Sequence, residues 1–297
     1  MQHPNPTMSH VLLLKARRNA ARPLILVTND DGIRSPGLHA VVRAVYDLGE
    51  TVVVAPRRQY SNAGRGHPPS AKRDQGTIHR ETPLADCPDL AAYSVDSSPA
   101  QTVARAWIEI LPRLPDLVIS GINYGENMGT GTTVSGTVGA AIEAACAGIP
   151  ALAVSLETSP DFHYSPSDDV DFQVAAAFTR RFARMVLAGN LPLDVDILKI
   201  DVPSDAALDT AWRVTRVSRQ PYYVPVINGA GTGGNPNLPD YRVEVDHDTL
   251  EPDSDIHALV VERVVSVCPL SIDLSSRVDR AHLAAELRRR APDTRNA

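Results

Sequence analysis

Long apolar runs are missing from this chain of 297 residues. None approaches the ~18–20 residues that a membrane-spanning helix needs, so a helical membrane protein is excluded. Cysteine is scarce, with Cys87, Cys146 and Cys268 isolated from one another. Three scattered thiols make neither a disulfide framework nor a metal cluster, and reduced thiols in a cytoplasmic protein are the expectation. An excess of basic charge is also missing. The net charge is −6, which argues against general affinity for duplex nucleic acid or an anionic membrane surface. Neither G-x-x-x-x-G-K-[ST] nor G-x-G-x-x-G occurs, and no serine or cysteine nucleophile pattern emerges. The histidines, among them His39, His163, His247 and His257, have no ligand-type spacing and are expected on the surface or in the core.

What the chain does have is alternation of strands and helices. LILVT at 24–28 is continuous, aliphatic and β-branched near its end, as a buried strand is. Pro36 then stands where a first helical turn accepts it, and Leu38, Val41, Val42 and Val45 recur at helical spacing. Gly49 is read as closing that helix, and TVVVAP at 51–56 as the next strand. Strand, helix and strand in so short a span predict a parallel βαβ unit. The pattern returns as a helix over 99–111, a strand over 116–120, a helix over 135–148 and a strand over 151–156. The fold class predicted is α/β, with a doubly wound, mostly parallel sheet.

The second half is less regular. It predicts a helix over about 168–188, a strand over 196–203, and short β-like runs in RVTRVSR, YRVEVDH and HALVVERVVSVCPL. A Gly/Asn/Pro-rich linker at 228–239 joins them, and a basic-tipped helix over 277–290 follows. The division expected is a flexible extension over 1–22, an α/β core over 23–203 and a β-rich segment with a terminal helix over 204–297. Residues 1–23 carry no acid and four basic side chains, but VLLL at 11–14 is too short for a secretory core of ~7–15 residues.

The first strand runs straight into Asn29-Asp30-Asp31-Gly32. In open α/β sheets, ligands bind beyond the carboxyl ends of the strands. Asp30 and Asp31 stand at that edge, Ser61 lies in the loop after the second strand, and Asn123 follows DLVIS. These four can converge. Two carboxylates, a hydroxyl and an amide oxygen are hard ligands suited to Mg²⁺ or Mn²⁺ rather than zinc. A cation would also relieve the repulsion between adjacent acids. The alternative is that the pair forms the cap and first turn of a helix, where acids are favoured; spacing alone leaves both open.

A second element is GTTVSGTVGAAIEA, where Ser135, Gly136 and Thr137 begin a helix whose free amides can hold an anion. Ser135 as a plain N-cap with Gly136 for close packing is the simpler reading. Arg57, Arg58, Arg65, Lys72 and Arg73 form a basic loop, expected to be mostly solvated. A metal site and an anion cradle on one sheet edge imply phosphate-ester chemistry. Adjacent acids do not match the D-x-D of haloacid-dehalogenase phosphatases, and Asn29 stands where a zinc deacetylase would need histidine.

VTNDDGIRSPG, VVAPRRQYSNAGRG and PDLVISGINYGENMG…VSGTVGAAIEA, in this order, resemble the SurE family of metal-dependent 5'/3'-nucleotidases. The resemblance implies one divalent metal bound through Asp30, Asp31, Ser61 and Asn123, and phosphate near Asn127 and the Ser135-Gly136-Thr137 turn. It implies hydrolysis of nucleoside 5'- and 3'-monophosphates, with some activity on short polyphosphate, and Asp30 or Asp31 orienting the attacking water. It further implies a homodimer or homotetramer formed by exchange of C-terminal segments. A nucleotide- or phosphate-binding protein without turnover is the alternative from another class. Several positions depart from the family pattern. Val134 replaces a usual Tyr, Lys199 and Asp201 replace Asn, Arg263-Val264 replaces a Gly-aromatic pair, and Cys268 replaces Thr.

Overall fold

The computed structural model describes residues 22–68, 76–163, 167, 169–189, 191–226 and 240–290. The N-terminal extension apart from Arg22, Lys72, Arg73 and the linker at 228–239 lie outside the described residues. In chain order the strands are β1 (Leu24–Thr28), β2 (Glu50–Pro56), β3 (Ile78–Arg80), β4 (Ala91–Val95), β5 (Leu117–Tyr124), β6 (Ala151–Leu156), β7 (Ile197–Val202), β8 (Trp212–Val214), β9 (Tyr223–Val226), β10 (Asp240–Val243) and β11 (Val265–Leu270). The helices are α1 (Pro36–Val45), α2 (Pro99–Arg105), α3 (Gly136–Cys146), α4 (Gln173–Leu187) and α5 (Arg280–Arg290).

Among the described residues, nine strands form one sheet in the order β3-β4-β2-β1-β5-β6-β7-β11-β8, and β9 pairs with β10 as a separate hairpin. From β4 through β7 every neighbour is parallel, while β3 and β11 join antiparallel. The sheet is mostly parallel and doubly wound, as predicted. Helices α1 and α4 cover one face over a core that includes Leu38, Val42, Phe178 and Phe182. Helices α2 and α3 cover the other with Val103, Val138, Ala141 and Ala144. The small side chains of α3 let it lie close to the strands. Each fully buried aliphatic of α1 contributes on the order of 1.5–3 kcal/mol.

Several elements differ from the sequence prediction. Helix α1 ends at Val45, and Gly49 sits in the turn before β2, where Glu50 N–H meets the Pro23 carbonyl at 2.7 Å. Strands β3 and β4 were not foreseen. The strand expected over 116–120 continues to Tyr124, its pairing with β6 shifting register between Ser120 and Asn123. Gly121 makes this possible: at φ +133°, a Cβ there would lie 2.3 Å from the Val154 carbonyl oxygen. Helix α4 begins only at Gln173, whose N–H is taken by Asp171 Oδ1 at 2.8 Å. The adjoining Phe172 is buried edge-on against Tyr124.

HALVV, read as β-like, is a helical turn. Ser254 Oγ accepts from His257 N–H at 3.2 Å, capping it, and Ile256, Ala258 and Leu259 are buried together. Local capping overrides β-branched composition there. Among the described residues no helix is long and apolar enough to cross a membrane.

Candidate functional site

Strands β1 and β5 are neighbours whose onward connections run to opposite sides of the sheet, which is the topological switch point where such folds bind ligands. Beyond β1, Asn29 closes a turn on itself. Its amide donates to the Gly32 carbonyl at 3.0 Å, and its Oδ1 accepts from Gly32 N–H at 3.1 Å. This side-chain-closed turn holds the two acids at the end of the strand. Sequence reading used Asn29 only to reject a histidine motif and missed this role. Asp30 and Asp31 are 5% and 7% exposed.

The loop after β2 is stitched to this turn. Tyr60 N–H donates to the Asp30 carbonyl at 2.7 Å, and Gln59 Nε2 bridges Asp31 Oδ1 (3.2 Å) and the His163 carbonyl (2.6 Å). Ser61 is thereby carried to the rim of the cavity that Asp30 lines. Further along, Gly64 N–H reaches the Val134 carbonyl, and Arg65 and His67 both meet Glu143 on α3. Arg57 pairs with Asp96. Arg57 and Arg65 are exposed, as expected of a solvated basic loop, and each also pairs with an acid on a neighbouring segment.

Asn123 lies at the end of β5. Its amide nitrogen donates to the carbonyls of Tyr124 (3.1 Å) and Gly125 (2.6 Å), which fixes the amide and leaves Oδ1 on the opposite side. Asn127 is held from two directions. Its N–H donates to Asp201 Oδ1 at 2.8 Å and its side-chain amide to Ser155 Oγ at 2.8 Å.

At the head of α3, Ser135 Oγ accepts from Val138 N–H at 3.1 Å, so it is an N-cap. Thr137 turns both its hydroxyl (2.5 Å) and its amide toward the Asp30 carboxylate. A Cβ on Gly136 would sit 2.7 Å from Asp30 Oδ2. Glycine is what lets the first turn of α3 press against the carboxylate. The helix N-terminus thus faces Asp30 directly, an arrangement that favours negative charge.

One cavity of ≈ 440 Å³ opens on this group. Asp30, Ser61, Asn123, Asn127, Ser135 and Gly136 line it. Asp31 and Thr137 stand behind, against Tyr124 N–H and Asp30 respectively. Burial pushes the Asp30 carboxyl up to about 6 against the pull of Thr137. It pushes Asp31 well above the usual carboxylate range, with the Asp30 charge adding to the effect. The two acids are short of positive charge. Among the described residues that line the cavity there is no lysine or arginine.

Asp30, Asp31, Ser61 and Asn123 offer hard oxygen donors, the set that suits Mg²⁺ or Mn²⁺. Among the described residues no cluster of three or more His, Cys, Asp or Glu side chains placed to hold a metal occurs.

The far end of the cavity was not foreseen. It is lined by Glu126, His163, Tyr223, Pro225 and Tyr241. Burial pushes the Glu126 carboxyl up to about 7, although the hydroxyls of Tyr222 and Tyr223 face it. These residues are brought in by topology from segments far apart in sequence, and only Glu126 lies within a recognised motif.

The family model of the survival protein SurE matches residues 25–223. The chain belongs to the SurE family. A Thermococcus gammatolerans protein named 5'-nucleotidase SurE is 44% identical over 258 residues, covering 86% of this chain and 92% of that one. A protein of the same name from Thermococcus kodakarensis is 41% identical over 260 residues, covering 86% of this chain and 95% of its own. Among solved structures, the SurE protein from Aquifex aeolicus superposes with a TM-score of 0.67 at 28% identity, covering 90% of this chain and 99% of that one.

The departures from the SurE pattern now have places. Val134 is half exposed at the cavity rim. Arg263 stands where glycine is usual and has φ +54°. That backbone costs a non-glycine residue ~1–2 kcal/mol, offset here by ion pairs to Glu157 and Asp205, each at 2.6 Å. Lys199 and Asp201 form a buried charge cluster behind Asn127, and Cys268 is buried.

Proposed function

We propose that this SurE chain is a metal-dependent phosphomonoesterase that hydrolyses nucleoside 5'-monophosphates to nucleoside and phosphate. The names of its relatives support the nucleotidase activity. The observation that carries the reading is the cavity itself. Two buried carboxylates whose ionisation is disfavoured face a helix N-terminus, and neither lysine nor arginine lies among the described lining residues. A cation between them would relieve the repulsion of the paired acids for one another and for an anionic substrate.

Asp30, Asp31, Ser61 and Asn123 would hold that cation. Bound there, Mg²⁺ or Mn²⁺ would neutralise charge and lower the pKa of a coordinated water. The residues of the chain do the rest. Asp30 and Asp31 orient the attacking water on the β1 side. Asn127, Ser135 and the Gly136 amide would fix the phosphoryl group, donors that are most effective in a site that excludes water, while Thr137 acts through the Asp30 carboxylate that it holds. Activity on 3'-nucleotides and short polyphosphate belongs to the same proposal. So does assembly into a dimer or tetramer through the C-terminal segment, whose helix α5 has no buried residue in the monomer; light scattering in solution tests it.

The test of the enzymatic reading is phosphate release from 5'- and 3'-nucleoside monophosphates and short polyphosphate, with chelator, Mg²⁺ or Mn²⁺. Chelation is expected to abolish release, and readdition of one of the two ions to restore it. Full turnover in excess chelator would remove the metal from the mechanism. Gly136→Ala is expected to push the Asp30 carboxylate aside and cut kcat/KM by about 10²-fold, the scale of a 1 Å misplacement. Its thermal midpoint should also fall, because the added methyl overpacks a buried contact at a cost of about 1–3 kcal/mol.

A further inference from the structure

A second cavity opens on the same edge of the sheet and shares no lining residue with the first. Its volume is ≈ 520 Å³, and Ile33, Arg34, Arg57, Arg58, Glu81 and Asp96 line it. Arg57 and Asp96 directly follow β2 and β4, and Arg34 lies beyond the turn after β1. These are the carboxyl ends of parallel strands, the edge where such sheets hold ligands.

The two cavities stand back to back. Ile33 N–H donates to the Pro56 carbonyl at 2.8 Å. Gly32 packs so closely on the loop after β2 that a Cβ there would lie 3.0 Å from the Arg58 carbonyl carbon. The turn at 29–34 and the loop at 57–61 thus present Asp30 and Ser61 to one cavity and three arginines to the other.

The charges of the second cavity do not cancel. Three guanidinium groups meet two carboxylates, and both carboxylates are already engaged. Glu81 Oε1 accepts the Ser94 hydroxyl. Asp96 Oδ2 accepts from Arg57 at 3.3 Å and lies 3.1 Å from His79 Nε2. Arg34 and Arg58 are exposed and, among the described residues, neither side chain has a carboxylate partner. By contrast, Arg43, Arg65, Arg180, Arg213, Arg216 and Arg263 each pair with an acid. Two unpaired guanidinium groups on one cavity repel each other, and a bound dianion would turn that repulsion into attraction.

We infer that the Arg34–Arg58 cavity is a second anion site, separate from the site at Asp30, and that its ligand is inorganic phosphate. Planar guanidinium forks match the oxygens of a phosphate and bind them in pairs. Among the lining residues Ile33 alone is apolar, and it is buried. The cavity therefore offers an organic moiety little to pack against, which favours the free ion over an ester.

The experiment titrates inorganic phosphate into the protein in excess chelator at low ionic strength. Calorimetry follows binding, and the arginine Nε–H signals in NMR spectra locate it. Without metal the first cavity presents Asp30 and, among its described lining residues, neither lysine nor arginine, so the titration reads the arginine cavity. Wild type is expected to show a single saturable site, with the Arg34 and Arg58 signals moving together. Arg34→Ala and Arg58→Ala should each weaken binding about threefold to tenfold, the scale of one exposed charge-assisted contact. The double variant should show no saturable binding. Both side chains are exposed, so the thermal midpoints of these variants should not fall below wild type. Asn127→Ala, which alters the other cavity, should bind phosphate as wild type does. Absence of saturable binding in wild type would overturn the site. So would binding that Asn127→Ala removes and the double arginine variant keeps, because the phosphate would then sit at the head of α3. None of these readings depends on turnover, so they stand apart from the success or failure of the nucleotidase reading.

Discussion

Asp30→Asn is expected to lower kcat for phosphate release by roughly a thousandfold or more, ~4 kcal/mol of transition-state stabilisation, while the metal-free protein becomes more stable. The two effects have one cause. Asp30 and Asp31 are buried side by side, and in the absence of a cation their ionisation works against the fold. The sign is fixed by the direction of the shift. The native Asp30 carboxyl titrates at about 6 against an ordinary 3.8. Its ionisation cost is therefore absent below pH 3.8, grows between the two values and is complete above about 6. Asparagine keeps an oxygen to accept the Thr137 hydroxyl and carries no charge. Thermal midpoints in chelator should then diverge as the pH rises from 3.8 to about 6 and stay apart above it, with the variant higher. With Mn²⁺ or Mg²⁺ the order should reverse, because a ligand that binds only the native state raises its midpoint, and the variant has lost a ligand. Wild-type turnover by Asp30→Asn, or an equal metal-induced shift in both proteins, would remove Asp30 from the site.

The parallel sheet was legible because its strands are continuous aliphatic runs and its helices are periodic, so β1, β2, β6 and β7 fall where the sequence places them. The acids, Ser61 and Asn123 were legible for a related reason. In a parallel sheet, all catalytic loops leave from the same edge, so position in the chain predicts position in space. Strands β3 and β4 were not, since IHR and AAYSV are short and carry little periodicity. The aromatic end of the cavity was hidden more deeply. His163, Tyr223 and Tyr241 share no spacing rule, and they meet only because a hairpin folds over the switch point. Thr137 was legible as a residue of the α3 turn, yet its hydroxyl bond to Asp30 was visible only in three dimensions.

Lys199→Met should be strongly destabilising. Lys199 is fully buried on β7, with Nζ 2.5 Å from Asp201 and 3.0 Å from Asp255, both also fully buried. Burial pulls the ammonium down, but the two carboxylates outweigh it and hold it above the ordinary lysine value. Methionine of similar volume would leave two uncompensated acids in the core, a change that costs about 3–5 kcal/mol. At about 2–4 °C per kcal/mol for a domain of this size, the midpoint should fall by roughly 10 °C. Activity should suffer beyond the loss of folded protein. Asp201 Oδ1 accepts the Asn127 N–H, and Asp255 Oδ2 accepts the Gly129 N–H at 3.2 Å, so the triad anchors the loop that carries Asn127 to the cavity. The double variant Lys199→Asn with Asp201→Asn restores the residues usual in the family and removes one positive and one negative charge together. Asp255 keeps the backbone donors of Gly129, Ser218 and Ile256, so the double variant should recover at least half of the lost stability. A Lys199→Met protein as stable as wild type would mean that the cluster holds no net charge to compensate. A double variant worse than the single would mean that the lysine contributes through packing and not through charge.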